Sequence, residues 1–184
     1  DFIVAQGAEA GEHRGIFEPE KGDQLLGTLA LTRLISAAAD IPVIAAGGLM
    51  DGQAISAALD AGAVGAQLGT AFILCPESAA NASYRALLKS DRGRKTQITS
   101  VISGRPARGI VNRFCTDIDH FAAPPLPEYP IAYEAGKALA AAAMSKDNIE
   151  FFACWAGQGA PLARELPADE LIEILMKEYR QKIL

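Results

Sequence analysis

Three stretches of the sequence combine residue types and spacing that can do chemistry. Gly47-Gly48 follows the apolar run Val43-Ile44-Ala45-Ala46 and precedes Asp51, a good helix N-cap. Backbone N–H groups at such a strand-to-helix junction can point at an anion, and the helix dipole adds a favourable potential. Glycine keeps the backbone open to a phosphate that a side chain would block. One short strand later, Gly69-Thr70 offers a second set of N–H groups and a hydroxyl. A lone Gly-Gly would indicate a tight turn; two matched strand ends point to a phosphate clamp. The third stretch is Gln6-Gly7-Ala8-Glu9-Ala10-Gly11-Glu12-His13-Arg14-Gly15, which places one of only 2 histidines in a Gly-rich loop. Imidazole titrates near neutral pH and can exchange a proton with a bound substrate. Glu9 and Glu12 read as solvated loop charges without a catalytic role, and His120 as a residue with no catalytic task.

The elements that position these residues follow from the pattern. Residues 2–5, 43–46 and 64–68 are short apolar runs with little alternation, as expected of parallel strands covered on both faces. Between them, Leu25, Leu29, Leu31, Leu34, Ile35 and Ala38 predict a helix over residues 24–39, and Ile55, Ala58 and Leu59 predict one after Asp51. Gly62 stands where a helix C-terminus takes positive φ. The order strand, helix, strand, helix, strand, with a polar residue and glycine at each strand end, is that of an α/β domain with its active loops at the carboxyl ends of the strands. Pro76-Glu77 opens a further predicted helix with its body over 79–88. Residues 91–113 are polar and basic, and Arg92, Arg94 and Lys95 read as a solvated face. Arg105 and Arg108 either line the mouth of a site or pair with carboxylates. A connector with Pro124, Pro125, Pro127 and Pro130 leads to helices predicted over 131–144 and 168–183.

Composition excludes several classes. The chain has 184 residues, 50% of them hydrophobic, so it is not a disordered chain. Its 17 Lys+Arg against 22 Asp+Glu give a net charge of −5, which offers no basic footprint for nucleic acid or an anionic membrane. No apolar run reaches the roughly 18–20 residues of a membrane span. Cys75, Cys115 and Cys154 are far apart and show neither metal nor disulfide spacing, so a reducing, cytoplasmic setting without a metal site is expected. The sequence opens inside an apolar run without Met, and the expectation is a chain that starts within a larger protein.

Taken in order, five motifs resemble the nitronate monooxygenases, FMN-dependent (β/α)8-barrel enzymes once called 2-nitropropane dioxygenases. They are the loop of residues 6–15, Pro42-Val43-Ile44-Ala45-Ala46-Gly47-Gly48 with Asp51-Gly52, Gln67-Leu68-Gly69-Thr70-Ala71-Phe72, Ser103-Gly104-Arg105-Pro106-Ala107-Arg108-Gly109, and Trp155-Ala156-Gly157-Gln158-Gly159. The last of these reads as a structural turn packing against the barrel. The resemblance implies that Gln6 and Gly11 contact FMN, that Ala46, Gly47 and Gly48 form the phosphate loop, and that Gln67, Leu68, Gly69 and Thr70 form the second phosphate-binding strand end. It makes His13 the catalytic histidine that acts as a base on neutral nitroalkanes. It further implies an α/β fold that is the C-terminal part of a TIM barrel: its last three strands over 1–74, a smaller lid-like substrate domain over 75–139, and C-terminal helices over 140–184 that return to the barrel.

One departure concerns the loop itself. The family usually reads Glu-Ala-Gly-Gly-His, whereas Glu12 precedes His13 here. A carboxylate at that place disfavours an anionic substrate, or raises the pKa of His13 if the two pair. The expected activity is oxidation of an alkyl nitronate by O2 to a carbonyl compound and nitrite. The expected partners are a small nitronate or nitroalkane, O2 and the N-terminal half of the barrel, with homo-oligomerisation left open. Two alternatives are a flavin-dependent enoyl-acyl carrier protein reductase, which NAD(P)H reduction of the flavin would favour, and a non-catalytic flavin-binding module, which nitrite release would exclude.

Overall fold

Apolar runs that lack alternation need cover on both faces, and here they become neighbouring parallel strands with helical crossovers. The computed structural model describes residues 1–118 and 125–182. In chain order it contains β1 (Ile3–Gln6), β2 (Glu12–His13), α1 (Thr28–Ala38), β3 (Val43–Ala46), α2 (Gly52–Asp60), β4 (Gly65–Gln67), α3 (Ala82–Lys89), β5 (Thr96–Thr99), β6 (Ala107–Ile110), α4 (Arg113–Ile118), α5 (Ile131–Met144) and α6 (Ala168–Lys182). His120, Pro124 and Ile183 lie outside the described residues. Contacts divide the α/β chain into two units, one of Asp1–Ala10, Gln24–Ala80 and Gly157–Leu184, the other of Gly11–Asp23 and Asn81–Ala156.

The first unit holds a parallel sheet in the order β1-β3-β4. Ala45, Leu49, Ala58 and Ala63 form a buried cluster between β3 and α2. A second cluster joins Met50, Ala71 and Cys75 to Leu171 and Leu175 of α6. The N-terminus of α2 runs so close to α6 that a Cβ on Gly52 would lie 2.2 Å from the backbone nitrogen of Tyr179. Glu178 of α6 accepts from the Gly52 N–H at 2.9 Å and pairs with Arg164. Asp51 caps α2 by accepting from the Ala54 N–H at 2.7 Å, as its position in the sequence predicts.

Two predicted helix starts are corrected. Helix α1 begins at Thr28 rather than at residue 24, because Leu25 takes φ 51° and the Glu9 carboxylate receives the Thr28 N–H. Helix α3 begins at Ala82 rather than at Pro76-Glu77, because Asn81 supplies the cap by accepting from the Tyr84 N–H at 2.8 Å. Glu77 instead receives the N–H of Ala168 at the start of α6.

The second unit is built on an antiparallel sheet in the order β2-β6-β5. Strands β5 and β6 fall within the polar segment 91–113, where Gln, Thr and Arg conceal them from a reading by hydrophobic pattern. All four residues of β6 are nevertheless buried. Beside the sheet, Val101, Ile102, Phe114 and Cys115 form a core against which Tyr133, Phe151 and Trp155 pack. Arg92 is not a freely solvated charge: it donates to Glu150 at 2.6 and 3.0 Å and to the Val111 carbonyl at 3.2 Å. Both side chains of that pair keep solvent contact, so its net contribution is at most about 1 kcal/mol.

Candidate functional site

Parallel pairing aligns the candidate strand ends. Gln6 of β1 pairs in register with Ala46 of β3, and Ala46 with Gln67 of β4, so the three lie side by side at the carboxyl ends of their strands. The next residues are the two glycine loops. Gly47 and Gly48 take φ 124° and 69°, a conformation that L side chains rarely adopt. Gly69 has φ −118°, and a Cβ added there would meet no atom within 4 Å. Its side-chain direction is open, which leaves the backbone approachable. Gly69 precedes a single tight turn at Thr70–Phe72, whose first N–H groups have no partner within the turn. The Thr70 hydroxyl oxygen accepts from the Gly157 N–H at 3.0 Å, using a lone pair and leaving its own proton to donate. Gln6, Ala46, Gly47, Gly48, Gln67, Leu68, Gly69 and Thr70 are thus brought together by one sheet.

Glu9 is a part of this arrangement that the sequence conceals. Its carboxylate accepts from both the N–H and the hydroxyl of Thr28 at 2.9 Å, rather than standing free in solvent. The Thr28 hydroxyl also lies 2.9 Å from the Gly47 carbonyl. Gln158 donates its N–H to the Glu9 carbonyl at 2.9 Å, and a Cβ on Gly159 would strike Met50. The Gly157–Gly159 end of the last motif is therefore structural, as expected.

Gly11 and His13 belong to the other unit. His13 sits on β2 opposite Ala107 of β6, its side chain only 22% exposed. Its Nε2 lies 2.9 Å from the hydroxyl of Ser103, which is fully buried. Tyr129 and Tyr133 meet the imidazole edge-on at 5.4 and 5.8 Å between ring centroids, and Trp155 meets it at 5.7 Å. Trp155 is fixed in turn: its carbonyl accepts from the Tyr84 hydroxyl, and its backbone bridges to Gly109. It belongs to the surroundings of His13, a part that the reading of its motif as a turn against the barrel overlooks. Burial raises the Tyr84 pKa well above its usual value and pushes the Cys154 thiol up to about 12, so neither is poised to give up a proton at neutral pH.

The Glu12 carboxylate stands 3.8 Å from Nδ1 of His13 and is 65% exposed. Glu12 acts to raise the histidine pKa, in the direction expected of a pair, but desolvation by burial outweighs it and Arg105 opposes the charged form as well, so the pKa is lowered overall. The lowered pKa favours the neutral imidazole, the form able to accept a proton. Arg105 itself donates to the Ile16 carbonyl, and Arg108, largely buried, donates to the Thr96 hydroxyl at 3.2 Å.

Ser103, Tyr129, Tyr133 and Trp155 are the parts of the surroundings of His13 that the reading of its loop did not include. The spacing of Tyr129 and Tyr133, four residues apart with Tyr129 just before α5 and Tyr133 in its first turn, is the one signal in the sequence that could have found them. Among the described residues no group of His, Cys, Asp and Glu could hold a metal ion, and no helix is long and apolar enough to cross a membrane.

Comparisons with known proteins show the family. A family model described as nitronate monooxygenase matches residues 1–178. A nitronate monooxygenase of Pseudomonas aeruginosa is 57% identical over 98% of this chain and 51% of its own length. A probable nitronate monooxygenase of Bacillus subtilis is 38% identical over 97% of this chain and 51% of its own. Among solved structures, nitroalkane oxidase from Streptomyces ansochromogenes superposes with a TM-score of 0.89 at 39% identity, covering 98% of this chain and 52% of that one. FabK from Thermotoga maritima superposes with a TM-score of 0.78 at 30% identity, covering 100% of this chain and 55% of that one. The chain spans about half the length of the curated relatives it matches. The chain belongs to the nitronate monooxygenase family, a family of oxidoreductases.

Proposed function

We propose that this chain carries the phosphate clamp and the base of an FMN-dependent enzyme that oxidises alkyl nitronates with O2 to a carbonyl compound and nitrite. The observation that carries the reading is the register of Gln6, Ala46 and Gln67, which sets the Gly47-Gly48 and Gly69-Thr70 loops at adjacent strand ends. These loops suit a phosphate-bearing cofactor. Gly47 and Gly48 turn in a glycine conformation, Gly69 has no neighbour in its Cβ direction, and Thr70 keeps a hydroxyl proton to give. Gln6 and Gly11 complete the set of residues assigned to the cofactor. FMN, when bound, supplies the redox chemistry that links the nitronate to oxygen.

The remaining tasks fall to the chain's own groups. Backbone N–H groups of the two loops hold the phosphate. His13, kept neutral by burial, takes a proton from the carbon of a neutral nitroalkane and so generates the nitronate in place. Tyr129, Tyr133 and Trp155 shield the imidazole from water and fix its plane. In the same proposal β1, β3 and β4 are the last three strands of a (β/α)8 barrel, residues 75–139 form a lid-like substrate domain, and the protein works in the cytoplasm.

The test is a nitrite assay on the whole protein and its His13→Ala variant. The variant is expected to retain flavin and to lose turnover of neutral nitroalkanes, while turnover of the preformed nitronate persists. Unchanged nitroalkane turnover removes His13 from the reaction. The likeness to FabK supports a second reading as a flavin-dependent reductase. Rapid reduction of the bound flavin by NAD(P)H would favour it, and nitrite release from propionate 3-nitronate counts against it.

A further inference from the structure

The Ser103 hydroxyl has one proton and two lone pairs, and three neighbours claim them. A carbonyl can only accept, so the 3.0 Å contact with the Arg105 carbonyl takes the hydroxyl proton. The Arg105 N–H returns a bond to the same oxygen at 3.3 Å. One lone pair is left for His13 Nε2 at 2.9 Å, which must then be the donor. The turn that sets this arrangement is rigid. Gly104 takes φ 82°, and a Cβ there would lie 2.4 Å from the Pro127 carbonyl.

We infer that Ser103 is a positioning residue that locks His13 in its Nε2–H tautomer, so that the substrate proton is received at Nδ1. The inference rests on the proposed role of His13 as base. Nε2–H donates to Ser103 whether the ring is neutral or charged, so the imidazole need not reorient when it takes the proton. The new positive charge completes itself at the nitrogen that faces Glu12, 3.8 Å away, and Glu12 is exposed enough to pass the proton on to water. The edge-on contacts of Tyr129 and Tyr133 oppose rotation of the ring, which would exchange its nitrogen and carbon edges.

Histidine-selective 15N labelling of the whole protein tests this directly. Long-range proton–nitrogen correlation reads the tautomer, with the His13 signals assigned by their loss in His13→Gln. The wild type is expected to show a single neutral species with its proton on Nε2. Ser103→Ala is expected to show both tautomers and to lose about tenfold in kcat/KM on a neutral nitroalkane, the cost of one net hydrogen bond. Its kcat/KM on the preformed nitronate should hardly change, and Ser103→Thr, which keeps the hydroxyl, should restore both readouts. A wild-type proton on Nδ1, or a wild-type tautomer in Ser103→Ala, overturns the inference. If Ser103→Ala does not fold, the wild-type spectrum alone decides. Unchanged nitroalkane turnover in His13→Gln would sink the base role while leaving the tautomer assignment to the spectrum, so the two failures are distinguishable.

Discussion

The carboxylate of Glu9 receives both the backbone N–H and the hydroxyl of Thr28, each at 2.9 Å. This single side chain connects the loop after β1 to the first turn of α1, and through the Thr28 hydroxyl to the Gly47 carbonyl. It acts as an N-cap supplied from elsewhere in the chain, since Gly27 at the cap position has no side chain to offer. Glu9→Ala should lower stability by about 1 kcal/mol, the usual cost of a lost helix cap. Because Glu9 fixes Thr28 beside the Gly47 carbonyl, flavin content after purification should fall as well. Thermal unfolding and the flavin absorbance of the purified variant check both. A variant with wild-type melting would show that Glu9 caps nothing of consequence.

The glycines of the two loops should respond differently to alanine. A Cβ on Gly47, at φ 124°, would lie 2.7 Å from the Thr28 hydroxyl oxygen and 3.0 Å from the Ala10 backbone nitrogen. Gly48 lies nearer the left-handed helical region, where a side chain costs about 1–2 kcal/mol. Gly47→Ala should therefore destabilise the protein more than Gly48→Ala. Gly69→Ala meets open space and should change stability by less than about 0.5 kcal/mol. If it nevertheless purifies with little flavin, the loss reports a ligand that approaches that backbone directly. Full flavin content in Gly69→Ala would count against the second half of the phosphate clamp.

How much of this was legible in the sequence depended on the kind of interaction involved. A buried parallel strand writes itself as an apolar run, which is why β3 matches its predicted bounds of 43–46, and the glycines that follow each run are why Gln6, Ala46 and Gln67 could be placed at strand ends. Asp51 was legible because a cap acts on the residue three positions on. Glu9 was not, because its partner Thr28 lies 19 residues away and nothing local distinguishes a capping carboxylate from a solvated one. The same holds for His13: its position in the loop was readable, whereas Ser103 lies 90 residues away on a turn of the antiparallel sheet. That sheet was hidden because its strands carry Gln, Thr and Arg, whose burial depends on hydrogen bonds rather than on hydrophobic pattern.

The pH dependence of the reaction should expose the balance around His13. Burial lowers its pKa below the ordinary value of about 6.5, the nearby Arg105 lowers it further, and Glu12 partly offsets both. Among the described residues, the Ser103 hydroxyl and the Tyr129, Tyr133 and Trp155 rings also face the imidazole. A base must be deprotonated to act, so kcat/KM on a neutral nitroalkane should rise with pH to a plateau, with its midpoint below pH 6.5. Glu12→Gln removes an influence that favours the charged ring, so the midpoint of its profile should lie at still lower pH, with its plateau rate close to wild type. Stability follows the same sign. A histidine whose folded pKa is depressed binds fewer protons in the folded state, so its contribution is present above about pH 6.5 and is lost as the pH falls towards the folded value. Parallel pH–rate profiles of wild type and Glu12→Gln decide the matter: an unmoved midpoint would mean that the carboxylate does not act on His13, and an upward one that it acts with the opposite sign.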